Sequence, residues 1–436
     1  MKKDINDYFA GDIRDYSVYA CERAIPSGVD GLKPSQRKAL YGMLREYPTK
    51  EVKVSIASSN IMAVTAFHHG SLDGVIVNMA QGFPGTNNIP LIEGIGQFGS
   101  RISPVAAAAR YIFVKSSPLT KQFFHAVDDN ILEWLTDDDM QIEPRFYLPI
   151  IPLVLVNGSQ GMGTGFATDI MSYNPRDIVV RMLQILKQEK IRKPLIPWFR
   201  GFTGEVFKNS DGQTVIQGCF EFVNTTLLKI TELPIGVSTI KYRDHLNALE
   251  DKDVIKSYED NSTESKIEFL VKVPREVSGY NEKKIFEIFK LQSRATETIT
   301  FWDERGRIKR VATAEELLDW FMAYRLTRYA DRIAYMIKAG EENLAKLQER
   351  CRFIKLYIEN SQRWAKTSTD DIVKELQSLN FTDIPSLLSI RITKLTGDAI
   401  TELENEIVTV TKTIEKLRTA SPTQLFMDDI RAVKLP

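Results

Sequence analysis

This sequence of 436 residues contains few cysteines and carries no net charge. Its three cysteines, Cys21, Cys219 and Cys351, are odd in number and far apart, so we expect neither a disulfide framework nor a zinc cluster. The 57 basic residues equal the 57 acidic ones, and the overall charge therefore says nothing about a nucleic-acid partner. No apolar run is long enough to span a bilayer, which predicts a soluble, cytoplasmic protein without a membrane partner.

The basic residues are nevertheless segregated along the chain. Residues 23–60 contain seven basic and three acidic side chains. Residues 94–127 contain basic residues without any carboxylate, namely Arg101, Arg110, Lys115 and Lys121. Two such excesses, close to each other in the chain, predict a local electrostatic surface for a polyanion, although charge runs are usually just solvated.

Three regions differ in pattern, and together they predict a multidomain α+β protein. In residues 1–152, helical stretches alternate with turns rich in glycine and proline, as in GVDGLKPSQRKALYGML, where Pro34 suits the first turn of a helix. Residues 153–310 contain strand-like runs interleaved with helical segments. These runs are LVLVNG, TLLKITELP and KIEFLVKV.

Residues 311–436 have the clearest periodicity. Thr313 and Glu316 form a capping-box signature ahead of a long helix. Apolar residues then recur at alternating steps of four and three, which predicts an antiparallel coiled coil with a small globular tip. The alternative is a helical hairpin packed on the body of its own domain. The two heptad runs are Ile333, Ile337, Gly340, Leu344, Leu347, Cys351, Ile354 and Ile358, and Ile400, Leu403, Ile407, Val410, Ile414 and Leu417.

Arg110 and Tyr111 close the run QFGSRISPVAAAARYIF. A tyrosine hydroxyl is a poor nucleophile at neutral pH because its ordinary pKa is about 10. An adjacent arginine favours the phenolate and neutralises a phosphate oxygen during attack. The pair therefore indicates a tyrosine nucleophile, and the alternative is a half-buried aromatic residue that follows an alanine-rich helical turn.

Four segments in this order resemble the breakage-reunion subunit of the type IIA DNA topoisomerases, and they are closer to the eukaryotic and T-even phage branch than to gyrase. The short chain is most similar to the medium subunits of T-even-like phages. The resemblance implies a winged-helix DNA-cleavage domain in residues 1–152 and an α/β tower domain in 153–310. It implies an antiparallel coiled coil with a small helical exit-gate dimerisation domain in 311–436. The segments are RAIPSGVDGLKPSQRK, AFHHG, IGQFGSRISPVAAAARYIF and PLVLVNGSQGMGTGFATDI, with further likeness in WFRGFTG, ITELPIG and FKLQSRATETITFWD.

The same resemblance implies a catalytic set. Tyr111 matches the tyrosine that attacks a DNA phosphate and forms a transient phosphotyrosine bond. Arg110 and Arg23 match arginines that stabilise charge on that phosphate. His69 matches a histidine that contacts the scissile phosphate, and His68 shapes the turn.

Three further residues are implied to bind DNA. Lys33 and Arg37 would hold the duplex backbone, although for Arg37 a surface charge without a partner is an equally good interpretation. Met162 stands where the family usually has an isoleucine that wedges between base pairs and bends the duplex. The surrounding run NGSQGMGTG lacks the lysine of a P-loop, which argues against a nucleotide site.

The expected partners are double-stranded DNA, a second copy of the chain and a large subunit. In the family, Mg²⁺ is held by a Toprim domain and ATP by an ATPase domain, and neither pattern occurs here, so both are assigned to the partner subunit. Asp137, Asp138 and Asp139 then form a solvent-facing turn. Two alternatives remain: a noncatalytic DNA clamp or bending protein, and a metal-dependent nuclease centred on these aspartates. For a phage protein, the compartment would be the host cytoplasm.

Overall fold

The computed structural model describes residues 5–68, 70–190 and 193–436, except for the side chains of Asp7 and Ile392. The chain forms two compact units: the residues up to Arg325 together with Met427–Pro436, and Leu326–Phe426. The helices are α1 (Ile5–Tyr8), α2 (Arg14–Ala24), α3 (Pro34–Glu46), α4 (Val54–Val64), α5 (Asp73–Ala80), α6 (Thr120–Phe123), α7 (Leu153–Asn157), α8 (Pro175–Leu186), α9 (Thr239–Glu250), α10 (Glu282–Ile288), α11 (Ala314–Trp364), α12 (Thr369–Ser378), α13 (Ile384–Leu388), α14 (Gly397–Arg418) and α15 (Pro422–Ala432).

The strands pair into small sheets with the orders β1-β3-β2, β4-β5, β6-β7, β14-β9-β8, β10-β11-β13-β12 and β15-β16. Every pairing within these sheets is antiparallel, so residues 153–310 are α+β in character, and the α/β description was wrong. The strands are β1 (Val52–Lys53), β2 (Ile92–Ile95), β3 (Phe113–Ser116), β4 (Trp134–Asp137), β5 (Met140–Pro144), β6 (Ser159–Met162), β7 (Ala167–Ile170), β8 (Glu205–Lys208), β9 (Thr214–Gln217), β10 (Cys219–Asn224), β11 (Leu227–Glu232), β12 (Ser257–Asp260), β13 (Phe269–Lys272), β14 (Gln292–Ala295), β15 (Ile299–Trp302) and β16 (Ile308–Val311).

The first part of the chain packs three helices against a three-stranded sheet. Helix α3 begins at Pro34, which has no backbone N–H to leave unpaired in the first turn, as the sequence predicts. Strand β3 lies at the centre of its sheet between β1 and β2, and Val114 on it is completely buried. This strand starts two residues after Tyr111, so the sheet gives the tyrosine a rigid support.

The middle of the chain supports two of its three strand predictions. TLLKITELP forms β11 and KIEFLVKV forms β13, and their buried residues alternate as a one-sided sheet requires. Leu228 lies directly opposite Val271, and Ile230 opposite Phe269, within a core that α9 and α10 complete.

The third strand prediction, LVLVNG, is wrong because residues Leu153–Asn157 form helix α7. Leu153, Val154, Leu155 and Val156 are all buried, so this short run has no polar face and its periodicity cannot separate helix from strand. Pro152 precedes the first turn and its carbonyl accepts from Leu155 N at 3.0 Å. Gly158, with φ 70°, ends the helix in a conformation that favours glycine.

The second unit contains helix α14 and the part of α11 from Leu326 onward, which carry the two heptad runs. Lys355 pairs with Glu404 at 2.7 Å, and Arg418 pairs with Glu341 at 2.6 Å. Moving up α11 from Glu341 to Lys355 therefore corresponds to moving down α14, so the helices run antiparallel, as the heptad pattern predicts. Ile358, at 42% exposed, departs from the buried seam. Helices α12 and α13 form the globular part around a cluster that includes Phe353, Trp364, Leu376, Phe381, Ile384 and Leu387.

Candidate functional site

Tyr111 is 67% exposed and lies in a turn immediately before β3. Its backbone N–H donates to Ala108 O at 2.9 Å, and the residues before that turn belong to no helix or strand. The interpretation of Tyr111 as a half-buried aromatic after a helical turn is therefore wrong. The guanidinium carbon of Arg110, itself an exposed residue, lies 4.9 Å from the centre of the Tyr111 ring. A phenol and a permanent cation are thus presented together to solvent.

Backbone hydrogen bonds hold the segment that carries this pair. The first N–H groups of α4 have no partner within their own helix, and they find carbonyls here. Val54 N donates to Ile112 O at 3.0 Å, and Ser55 N donates to Ala109 O at 3.3 Å. The backbone on either side of Tyr111 is therefore anchored at the N-terminus of α4.

The glycine of QFGSR makes the preceding turn possible. Gly99 has φ 94°, and a Cβ placed on it would lie 2.7 Å from Pro104 O. Only glycine accepts both this backbone conformation and this close approach. Ala107 N then donates to Gln97 O at 3.0 Å, which closes the loop on itself.

Arg23 lies beside the histidine-containing segment. Its guanidinium carbon is 5.5 Å from the centre of the Tyr19 ring, at the exposed end of α2. A cleft of 280 Å³ is lined by Arg23, Lys38, Ala66 and Phe67, among others. The structure thus brings the RAIPS motif to the AFHHG motif, with Ala66 in a left-handed conformation at φ 48°. His69 itself lies outside the described residues.

Arg37 is not on a DNA-facing surface, and neither sequence interpretation of it was right. The residue is buried, with its Nε 2.7 Å and its Nη2 3.0 Å from the carboxylate oxygens of Asp30. Asp30 is fully buried and also accepts from the backbone N–H groups of Leu32 and Tyr147, both at 3.0 Å. Asp30 and Arg37, spaced as D-x₆-R, therefore form a buried ion pair that fixes the loop before α3, the Asp30–Arg37 latch.

Lys33, which that loop presents, reaches across to the hairpin β6–β7. Its ammonium donates to Gln160 O at 2.5 Å, and burial lowers the pKa of this lysine. Lys33 is partly exposed, so the structure leaves its predicted DNA contact possible while giving it a second role in holding the hairpin.

Met162 stands at the end of β6 and is 87% exposed, a larger fraction than for any other large apolar side chain in the described chain. The hairpin under it packs on α2 through glycines. A Cβ on Gly161 would lie 2.0 Å from Ala24 O, and a Cβ on Gly163 would lie 2.9 Å from Cys21 Sγ. An apolar side chain held out by a tightly seated hairpin is the geometry that a wedge between base pairs requires.

The basic surface is smaller than the sequence counts suggest, because several cations are paired within the fold. Arg101 is buried, 2.9 Å from Glu232, and donates to Leu233 O at 2.8 Å. Lys38 lies 2.8 Å from Glu143. Glu232 and Glu143 lie far from these cations in the sequence. Of the two, only Glu232 stands in a family-like motif, ITELPIG, that could have indicated a role for it.

Asp137 is the last residue of β4, and Asp138 and Asp139, both with positive φ, form the connection to β5. All three are exposed, in a tight hairpin turn, which matches the solvent-facing turn expected of them. Within residues 5–68, 70–190 and 193–436, no group of three or more His, Cys, Asp or Glu side chains is placed to hold a metal ion. In the same residues, no helix is long and apolar enough to cross a membrane.

No hydrogen bond, ion pair or ring contact within the described residues joins Tyr111 to Arg23, Lys33 or Met162. Among the candidates that the structure describes, Arg110 contacts the tyrosine ring. Arg23 is grouped with the AFHHG segment and Lys33 with the Met162 hairpin, so the described candidates fall into three local groups.

Known proteins resemble this chain over almost its whole length. The family model for the A-subunit of DNA gyrase/topoisomerase IV matches residues 23–433. The mitochondrial DNA topoisomerase 2 of Dictyostelium discoideum is 34% identical over 98% of this chain and 35% of its own length. DNA topoisomerase 2 of Arabidopsis thaliana is 36% identical over 88% of this chain and 27% of its own.

A solved structure gives the same result for the fold. The DNA-binding, cleavage and re-ligation domain of Plasmodium falciparum topoisomerase II aligns with a TM-score of 0.90 and 32% identity, over 98% of this chain and 63% of that one. The chain thus spans about a third or less of the length of the curated relatives named above. A family model that covers most of the chain settles membership: the chain belongs to the A-subunit family of DNA gyrase/topoisomerase IV.

Proposed function

We propose that this chain is the DNA-cleaving and religating subunit of a type II DNA topoisomerase. The observation that carries the proposal is the exposed Tyr111, with the Arg110 guanidinium 4.9 Å from its ring, on a segment held by the N-terminus of α4. A noncatalytic clamp or bending protein would need the basic surface and the wedge but not this pair.

In the proposed reaction, the Tyr111 hydroxyl loses its proton and its oxygen attacks a phosphorus of the DNA backbone. One phosphorus–oxygen bond to the tyrosine forms and the bond to one deoxyribose oxygen breaks, and that oxygen takes up a proton from solvent to balance the one that the tyrosine released. That sugar hydroxyl later attacks the phosphotyrosine and restores the strand, so no energy is needed for resealing. Arg110 stabilises the charge that develops on the phosphate, with Arg23 and His69 as the further predicted contacts.

Lys33 and Met162 are proposed to hold and bend the duplex, whereas Arg37 is left out because of its buried pairing with Asp30. Each tyrosine cuts one strand, so cutting a duplex requires two copies of the chain, which suits a two-fold symmetric homodimer. The order α3, β1, α4, α5, β2, β3 supports a winged-helix domain around Tyr111. We further propose the tower in residues 153–310 and the exit gate in 311–436, both with these boundaries.

The remaining parts of the reaction are assigned to a partner. We propose that a separate large subunit carries the ATPase and Toprim functions. The described carboxylates of this chain do not fit a metal site, so Mg²⁺ would be held by that subunit and ATP would bind there too. With its functions divided in this way, the chain would correspond to the medium subunit of a T-even-like phage topoisomerase and would act in the host cytoplasm.

The direct test is covalent capture. The chain, its large subunit, Mg²⁺ and supercoiled plasmid are incubated and denatured with detergent, and DNA bound covalently to this chain is measured. We expect attachment with the unchanged chain and its loss in Tyr111→Phe, which removes only the attacking oxygen.

Tyr16→Phe is the matched control, because Tyr16 is 66% exposed, almost the same as Tyr111, yet lies on α2. This variant should keep full attachment. Equal attachment in Tyr111→Phe would refute the nucleophile, DNA binding without any attachment would favour the clamp, and cut DNA without attached protein would favour a nuclease.

A further inference from the structure

The hairpin β6–β7 must resist force if Met162 is to act as a wedge. Unstacking a base step costs free energy, and the opposing force passes from the side chain into the backbone beneath it. Methionine is flexible, so the precision of the bend depends on how firmly the hairpin is seated. The contacts that hold the hairpin therefore matter for the proposed function.

A segment that lies far away in sequence holds one strand of the hairpin. Thr298 and Asp169 exchange two backbone hydrogen bonds, at 2.8 and 3.0 Å. The neighbouring Glu297 carboxylate accepts from Met171 N at 2.9 Å and from the Tyr173 hydroxyl at 2.5 Å. Both carboxylate oxygens are thus committed to the residues that follow β7.

We infer that Glu297 is a positioning residue that fixes the hairpin carrying Met162 and thereby sets how sharply the DNA is bent. The inference rests on the proposed function, because it assumes that Met162 inserts between base pairs. Glu297 lies outside the hairpin, and its carboxylate accepts hydrogen bonds from Met171 and Tyr173, which follow β7.

The chemistry of the contact favours a durable clamp. Burial and the nearby Glu297 charge raise the pKa of Tyr173, so its hydroxyl keeps its proton and donates to the carboxylate. Burial raises the pKa of Glu297, and the hydrogen bonds from Tyr173 and Met171 offset part of that shift. A charged acceptor in a half-buried site makes hydrogen bonds that are roughly twice as strong as neutral ones.

Contacts on the β6 side of the hairpin leave little room for it to shift if the Glu297 contact is lost. There, Gly161 and Gly163 lie directly against Ala24 and Cys21, so the hairpin cannot move closer to α2. The Lys33 ammonium holds Gln160 O on the same strand, β6. With β6 pressed on α2, loosening β7 at Glu297 leaves the hairpin free to tilt away from it.

The same segment also reaches the loop of Arg23. Strand β15 follows Glu297, and at its end Trp302 N donates to Pro26 O at 3.0 Å while Gly28 N donates to Trp302 O at 2.9 Å. Residues 297–302 therefore connect the seat of the wedge to the RAIPSG motif. This gives a physical reason for the FKLQSRATETITFWD likeness, which the catalytic residues leave unexplained.

The test measures DNA bending by energy transfer between dyes at the two ends of a short duplex bound to the full chain. Glu297→Ala should lose most of the bending signal, as we also expect for Met162→Ala, while still binding the duplex. Glu297→Gln should recover much of the signal, because its amide oxygen still accepts from Met171 N. Glu287→Ala, an exposed glutamate on α10, is the matched control and should bend DNA normally.

The outcomes separate this inference from the proposal beneath it. No bending by the unchanged chain, or bending unaffected by Met162→Ala, would refute the wedge and the seat together. Bending lost in Met162→Ala but normal in Glu297→Ala would refute the positioning role alone. If Glu297→Ala fails to fold, Tyr173→Phe decides, since it removes one hydrogen bond and keeps the ring: reduced bending supports the role, and unchanged bending overturns it.

Discussion

Replacing Arg37 with methionine removes the guanidinium of the Asp30–Arg37 latch while keeping a side chain of similar length. Asp30 is fully buried, and the change leaves it with two backbone donors, Leu32 N and Tyr147 N, but without its counter-charge. Breaking a buried ion pair from one side typically costs about 3–5 kcal/mol. Because the two backbone hydrogen bonds remain, we expect the lower end of that range, about 3 kcal/mol.

Urea unfolding, followed by fluorescence, measures this loss as a fall in the transition midpoint. The double variant Asp30→Asn, Arg37→Met removes both charges, and we expect it to be more stable than Arg37→Met alone, because no uncompensated carboxylate remains. Arg37→Lys keeps the charge but loses the two-point contact, so it should lie between the unchanged chain and Arg37→Met.

DNA binding supplies the other half of the test. If Arg37 neutralised a phosphate, its removal would lower the slope of log affinity against log salt by about 1. The buried latch predicts an unchanged slope, measured on variants that are still folded at the assay temperature. A loss of less than about 1 kcal/mol, as for an exposed pair, together with a lower salt slope would refute the latch and restore Arg37 to the DNA surface.

Three further predictions concern other contacts of the first compact unit. Arg101→Met should lower the thermal midpoint more than Arg101→Met combined with Glu232→Gln, and a larger loss in the double variant would contradict the buried pair. Burial alone would raise the pKa of Asp303, but hydrogen bonds from the backbone N–H groups of Arg305 and Arg307 and from the Arg307 side chain outweigh burial and lower that pKa. The ionised Asp303 carboxylate therefore stabilises the fold above about pH 3.9, and this contribution is lost as the pH falls through the pKa of the folded state. Asp303→Asn should therefore reduce stability at pH 7 and flatten the acid unfolding curve, which urea titrations at several pH values would check. Gly161→Ala should destabilise the hairpin, with faster hydrogen exchange at β6, because its Cβ would lie 2.0 Å from Ala24 O; exchange at the rate of the unchanged chain would contradict that contact.

Local patterns predicted those parts of the fold in which one face is buried. The heptad runs of α11 and α14, the start of α3 at Pro34 and the alternating strands β11 and β13 were all visible in the sequence because burial imposes a period on them. The run LVLVNG failed for the converse reason. It is buried throughout, so neither period is imprinted on it, and its helical form depends on the neighbours that surround it.

The candidate site divides in the same way. Family motifs picked out Tyr111, Arg110 and Met162, and the structure places all three on the surface; their roles stay predictions. The interpretation of Arg37 failed because a charge count cannot show whether a cation is already paired.

By itself, then, the sequence determined the family, the periodic elements and the identity of the exposed tyrosine beside an arginine. Only the tertiary structure decided which cations remain for a ligand and what holds the hairpin that carries Met162. Arg101 meets Leu233 O across 132 residues of chain, and Glu297 meets Tyr173 across 124. Such contacts leave no periodic trace, because they depend on how distant segments pack rather than on the spacing of residues along one helix or strand.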